Sequence, residues 1–179
     1  KDTTPKLFWY NMGIIISNGI ESKFGSLTSP YEFFNEWKKA ESENDKPKTD
    51  LATILRGVCD KTRLLDIFEN YILFDESRGE AKKIVPRYFQ YFGVNRAFEN
   101  VVRRKDLDGK LGVFWHTQGS GKSYSMVWLS QKVLRKLPGN FTFVIVTDRT
   151  QLDGQAYDNF AHVGAIHEAE VHAESISHL

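Results

Sequence analysis

Five consecutive residues, Gly119-Ser120-Gly121-Lys122-Ser123, have the types and order needed to hold a chain of phosphates. Two glycines separated by one residue let the backbone turn tightly and aim several N–H groups inward at anionic oxygens. A lysine directly after them brings an ammonium within reach of β- and γ-phosphate oxygens, and the serine hydroxyl that follows can ligate Mg²⁺. Gln118 lies in the same loop. The general form of this motif has a glycine six residues before the lysine, where this chain has His116. The competing reading is a glycine-rich turn with a chance Lys-Ser. It is disfavoured by the flanks: a phosphate loop needs a strand before it and a helix after it, and both patterns are present.

The elements that must position the loop follow an α/β grammar. Leu111-Gly112-Val113-Phe114-Trp115 reads as a short apolar strand that would deliver the loop to the carboxyl edge of a sheet. Ser123 to Leu137 reads as a helix ended by Pro138-Gly139, and its N-terminus would add a positive dipole end beneath the phosphates. Phe141 to Thr147 is continuously apolar, as a parallel strand buried on both faces would be. Gln151 to Phe160 predicts another helix, and Val85 to Arg104 a long one upstream with Pro86 near its start. Strand, loop, helix, strand, helix predicts an α/β domain with a parallel sheet.

Further forward the pattern changes. Leu7 to Ser17 predicts a strand, Asn18-Gly19 a hairpin turn, and Ile20 to Leu27 the returning strand. Ser29-Pro30 reads as a helix start, with Tyr31 to Lys39 helical and Phe33, Phe34 and Trp37 on one face. Ala40 to Asp50 is a polar loop. Leu51 to Asn70 reads as two short helices broken near Gly57 to Asp60. Tyr71 to Phe74 is a short extended segment and Asp75 to Lys83 a charged loop. The chain thus divides into 1–40, 41–83 and 84–179.

Bulk properties exclude more than they assert. A length of 179 residues allows one or two domains. The net charge of +1 gives no electrostatic footprint for nucleic acid, so any DNA reading must come from motifs. Cys59 is the single cysteine, which excludes an internal disulfide and a Cys-rich metal site; it reads as a small buried or half-buried side chain in a reducing cytoplasm. The apolar runs are too short to cross a bilayer, and no signal peptide opens the chain. The chain begins with Lys1 rather than Met, which reads as a fragment or a processed product.

Larger blocks carry a resemblance. Trp115 through Ser123 resembles the first helicase motif of the restriction (R) subunit of type I restriction-modification enzymes. Phe143 through Gln155, with Thr147-Asp148-Arg149 and Leu152-Asp153-Gly154-Gln155, resembles the family's next motif. Pro86 through Asn95 is similar to the upstream Arg-and-Gln segment of helicase superfamily two. Leu7 through Asn11 and Lys23 through Thr28 resemble the segment after the family's nuclease core, and the tail from His172 to Leu179 also fits. The resemblance implies an incomplete RecA-like P-loop motor domain over 84–179, preceded by a β-hairpin and helical segment from the end of a nuclease domain (1–40) and a helical linker (41–83). It implies ATP-dependent DNA translocation coupled to endonucleolytic cleavage of unmodified DNA, with ATP and Mg²⁺ as cofactors. The implied partners are double-stranded DNA and the methylation and specificity subunits, in the cytoplasm and with no membrane. Two alternatives stay open: a superfamily-two helicase-like DNA-dependent ATPase without a restriction role, and a nucleotide-binding regulatory module without turnover.

Residue by residue, the resemblance makes Lys122 the catalytic residue and Ser123 the metal ligand. Gln118, Gly119, Ser120, Gly121, Lys122 and Ser123 bind the phosphates. Gln90 hydrogen-bonds the adenine edge, while Arg87 supports it or contacts phosphate. For Gln90 the plainer alternative is a solvent-facing helix position. Arg149, beside Asp148 at a strand end, contacts the DNA backbone or orders the neighbouring loop; a local ion pair capping the next helix is the alternative. Hydrolysis in this superfamily also requires a carboxylate to hold Mg²⁺ and a glutamate to orient water, and no segment here fits them, so the isolated piece is expected to be inactive.

Three further signals are discounted. Glu21-Ser22-Lys23, with Asp2 upstream, has the Glu-x-Lys spacing of a metal nuclease but follows a turn. His162, His167, His172 and His178 match no zinc spacing. Arg103-Arg104-Lys105 reads as a helix-end basic cluster favoured by the dipole.

Overall fold

The Asn18-Gly19 turn organises the first sheet. In the computed structural model, which describes residues 5–8, 10–77, 79–147, 157–158 and 160–164, Gly19 takes a left-handed φ of 95°. The Asn18 side chain closes the turn by accepting from the N–H groups of Ile20 and Glu21 at 3.0 and 2.7 Å. Strand β1 (Ile14–Ser17) then pairs antiparallel with β2 (Ser22–Gly25), from Ile14 opposite Gly25 to Ser17 opposite Ser22. The expected strand therefore begins later than Leu7; Pro5–Phe8 forms a 3-10 turn instead.

The helix expected over Tyr31 to Lys39 does not form. A single 3-10 turn, Tyr31–Phe33, follows Pro30, and the chain then extends as β3 (Asn35–Glu36) against β2. The reason is tertiary. Pairing with β2 satisfies the backbone there while Trp37 enters the core, packing on Phe24, Tyr91 and Phe92. Phe33, which a helix would have buried beside it, is exposed. Local helical spacing lost to the packing of one large aromatic.

The two short helices appear where expected, each begun by an aspartate. Asp50 accepts from the Thr53 N–H at 2.7 Å to start α1 (Leu51–Val58). Asp60 accepts from the Arg63 N–H at 3.0 Å to start α2 (Lys61–Asn70). Such caps satisfy one of the orphan donors at a helix start. The Arg63 guanidinium reaches back to the carbonyls of Arg56 and Gly57, both at 3.0 Å, and so ties off the end of α1. Cys59, at that end, is exposed rather than buried or half-buried, because the apolar face of α1 is carried by Ile54 and Val58. The charged loop after Asp75 is closed by a small hairpin, β4 (Leu73–Asp75) with β5 (Lys82–Ile84).

Helix α3 (Tyr88–Val102) starts two residues after Pro86, later than the periodicity suggests, since the proline disfavours helical backbone at Val85. Helix α4 (Lys122–Lys136) stops before Pro138 as expected. The two pack against each other, and α2 packs on α4.

The fold is mixed α/β, with helices and two small antiparallel sheets. The segments expected as parallel strands, Leu111 to Trp115 and Phe141 to Thr147, have no ladder partner among the described residues. Their apolar side chains stand open: Val113 is 93% and Val146 87% exposed. A strand buried on both faces needs neighbours on each side, and neither segment supplies them to the other here. The helix expected over Gln151 to Phe160 lies mostly outside the described residues; 157–158 and 160–162 are helical.

One buried cluster draws on all three compositional regions: Phe24 and Trp37 from the first, Ile54, Val58, Ile67, Tyr71 and Leu73 from the second, Tyr91, Val94, Val127 and Trp128 from the third. Within it sits a polar knot. Lys132, 5% exposed, donates to both Asp66 oxygens at 2.6 and 2.8 Å and to Asn95 Oδ1 at 2.5 Å. The Tyr71 hydroxyl donates to the same Asn95 oxygen at 2.8 Å. Burial pushes the Asp66 carboxyl up, but the hydrogen bonds and charge of Lys132, with Asn70, outweigh it and hold the group below the ordinary carboxylate range.

Candidate functional site

The glycine-rich loop is shaped by two left-handed residues. Gly119 has φ 75° and Gly121 φ 83°. At Gly119 open space surrounds the position a Cβ would take, so only the backbone angle calls for glycine there. At Gly121 the angle calls for glycine as well, and a Cβ would crowd Gln90 Nε2 at 2.7 Å. Gly121 is also the cap residue from which α4 springs, and Lys122 is the helix's first residue. The four N–H groups of that first turn have no partner within the helix, which makes the position suited to an anion.

The lysine rests on its own loop. Lys122 Nζ donates to the carbonyls of His116 and Thr117 at 2.9 and 3.0 Å. The Ser120 N–H turns to the Thr117 carbonyl at 3.3 Å. The Ser120 hydroxyl is buried and has no hydrogen-bond partner among the described residues. An orphaned hydroxyl and an ammonium held only by neutral carbonyls both fit an anionic guest. Ser123 is half-buried in the first turn of α4 and offers one hydroxyl to a metal. Among the described residues no group of three or more His, Cys, Asp or Glu could hold a metal ion.

Gln90 does not face solvent. It is 4% exposed. Its Nε2 donates to the carbonyls of Ser120 and Gly121 at 3.1 and 3.0 Å, and its Oε1 accepts from the Arg87 N–H at 2.9 Å. Helix α3 is thereby stitched to the loop. Arg87, the residue before α3, lays its guanidinium over the Phe89 ring. Gln90 and the loop residues are thus brought together, while Asp148 and Arg149 lie outside the described residues.

His116, standing where the general motif has glycine, packs between Phe89 and Phe114, with ring centroids 4.8 and 4.6 Å away. Burial lowers its pKa from the usual value and the nearby Lys122 charge adds to that. Beside it lies a cavity of about 370 Å³ lined by Lys39, Glu43, Tyr88, Phe89, Phe92, Trp115, His116 and Thr117. A larger one, about 600 Å³ between the linker loop and α1–α2, shares no residue with the glycine-rich loop. The smaller is the one that touches His116 and Thr117, whose carbonyls hold Lys122.

The described residues reach only part of the discounted signals. Lys23 lies on β2 with its ammonium 4.7 Å from the Tyr31 ring centre. Of the four histidines only His162 is among the described residues. Arg103 pairs loosely with Asp106 at 4.0 Å, and Arg104 returns to the Val101 carbonyl, as a helix end would have it. What the sequence reading missed is the Lys132 knot and the approach of Lys39 and Glu43. The first left a trace, since Lys132 stands four residues after Trp128 on the buried stripe of α4. The second left none, because loop residues carry no periodicity.

Comparison with known proteins defines the class. The SWI2/SNF2 ATPase family model matches residues 89–179, just over half of the chain, and the chain belongs to that family. The match includes Gln90 and the whole loop to Ser123 and begins two residues after Arg87. The curated proteins it resembles are more particular: they are type I restriction enzyme endonuclease subunits. The HindI endonuclease subunit of Haemophilus influenzae is 38% identical over 90% of this chain. One from Methanocaldococcus jannaschii is 32% identical over 98%, and one from Staphylococcus aureus strain COL 26% over 89%. The chain spans under a fifth of their length, 16%, 18% and 16% respectively.

Proposed function

We propose that this chain is the nucleotide-binding portion of the endonuclease (R) subunit of a type I restriction enzyme. In the intact protein it would take part in ATP-dependent DNA translocation coupled to cleavage of unmodified DNA. The observation that carries the reading is the loop itself: two left-handed glycines, an orphaned buried hydroxyl and Lys122 at the first position of α4. In this reading Gln118 to Ser123 cradle the β- and γ-phosphates, and Lys122 leaves the His116 and Thr117 carbonyls to bond a phosphate oxygen. The Ser123 hydroxyl contributes one ligand to Mg²⁺, which supplies charge neutralisation at the transferring phosphoryl group. Gln90 offers the remaining lone pair of its Oε1 to the adenine edge, and Arg87 lies near enough in sequence to assist. Arg149 contacts the DNA backbone.

The uncovered apolar segments 111–115 and 141–147 would pair in the parallel sheet of a RecA-like motor domain. The methylation and specificity subunits, double-stranded DNA and a cytoplasmic setting complete the proposal; no helix among the described residues is long and apolar enough to cross a membrane. The family match over 89–179 also suits a DNA-dependent ATPase with no restriction role. Lys122→Ala in the intact protein is expected to abolish ATP binding, measured by calorimetry; unchanged affinity would sink the nucleotide reading. ATP turnover on unmodified against fully methylated DNA, with the methylation and specificity subunits present, separates the two functions: equal rates favour the plain ATPase.

A further inference from the structure

We infer that Gln90 is a positioning residue for the phosphate loop, required whether or not the ligand carries a base. This deepens the nucleotide reading and rests on it. A peptide unit is planar and trans, so its C=O and N–H point in opposite directions. The Ser120 carbonyl shares a plane with the Gly121 N–H, and the Gly121 carbonyl with the Lys122 N–H. Gln90 Nε2 draws both carbonyls toward α3, at 3.1 and 3.0 Å. The two N–H groups must then point away from α3, to the open side of the loop where Lys122 reaches round. The Gly121 carbonyl has a second anchor in the Ser125 N–H at 3.3 Å. The Ser120–Gly121 plane is therefore the one for which Gln90 is decisive.

The rest of the side chain makes this a fixed clamp. Both Nε2 protons are spent on the loop, and Oε1 is held by the Arg87 N–H at 2.9 Å. The group is 4% exposed, so water does not compete for these bonds. A Cβ at Gly121 would meet Nε2 at 2.7 Å and displace the amide from the loop. Loop and clamp fit as a pair. A glutamine that only read adenine would keep its amide protons or its carbonyl turned to the base; here one lone pair of Oε1 is all that stays open.

The test uses inorganic tripolyphosphate, which has the phosphates and no base, alongside ADP and GDP, each titrated calorimetrically into the intact protein. The variants are Gln90→Met, which keeps the volume but donates nothing, and Gln90→Glu, which keeps an acceptor for the Arg87 N–H and turns a charge on the two carbonyls. With two donated bonds lost, both are expected to weaken all three ligands by a common factor, on the order of tenfold or more. Gln90→Met should lower the melting temperature by only a few degrees, since it orphans three hydrogen-bonding groups, and should keep the binding stoichiometry of wild type, which separates a misplaced loop from a partly unfolded sample. Loss of ADP affinity with tripolyphosphate unaffected would overturn the proposal and leave Gln90 a base reader. If the wild-type protein shows no Lys122-dependent binding of tripolyphosphate or ADP, the phosphate reading fails, and the clamp with it.

Discussion

The helices around Lys132 and the two apolar segments beside the loop are built by opposite rules. Around Lys132 the charged groups are paired: α2, α3 and α4 each contribute to one knot, through Asp66, Asn95 and Lys132, and a buried apolar cluster packs about it. In segments 111–115 and 141–147 the side chains are as apolar, yet Val113, Val144 and Val146 stand mostly open. Helices satisfy their own backbone and need only one face covered. A parallel strand needs partners for its backbone and cover on both faces. The site lies at the seam: the loop is anchored to the closed half through Gln90 and α4, and borders the open half through His116 and Trp115.

The sharpest way to break this contrast is to open the knot. Lys132→Ala leaves the half-buried Asp66 without its cation and is expected to cost about 3 kcal/mol by urea denaturation, the low end for a broken buried pair. The joint change Lys132→Met with Asp66→Leu should recover most of that loss, since a buried pair replaced as a whole is often neutral. If Lys132→Ala costs no more than a surface change, the knot does not hold the helices. Acid offers a second probe. Asp66 titrates below its ordinary value of about 4 in the folded state, so its stabilising contribution is complete above that pH and is lost as pH falls through the lowered value. Stability should fall on acidification, and fall less in Asp66→Asn; parallel pH profiles for the two proteins would contradict the assignment.

Smaller effects sharpen the contrast from each side. Asp50→Ala removes a cap on α1 and should cost about 1 kcal/mol, with Asp50→Asn nearly neutral. In the open half, Val146→Asp should change unfolding free energy by less than about 0.5 kcal/mol if the segment stays uncovered as seen here. A loss well above that would instead support the proposed parallel sheet forming around it.

Much of the molecule is legible in its sequence. The hairpin turn at Asn18-Gly19, the break near Gly57 to Asp60, the end of α4 before Pro138 and the glycine-rich loop all rest on a handful of adjacent residues. Where the reading erred, a distant residue decided. Phe33, Phe34 and Trp37 have helical spacing, but β2 and the rings of Tyr91 and Phe92 drew Trp37 in along an extended path. For Gln90 only the solvent-facing alternative fails; that its amide meets Ser120 and Gly121, about thirty positions on, cannot be read from its neighbours.

The sequence by itself determined the loop, the turns and the helix caps, because these follow from which residues tolerate a positive φ, which lack an N–H and which can accept from a free helix end. Only the tertiary structure decided that Trp37 enters the core from a strand, that Lys132 is buried against Asp66 and Asn95, and that Gln90 holds the glycine-rich loop. The physical reason is range: backbone angles are settled within a few residues, whereas a buried polar atom takes its partner from whatever part of the chain packs against it.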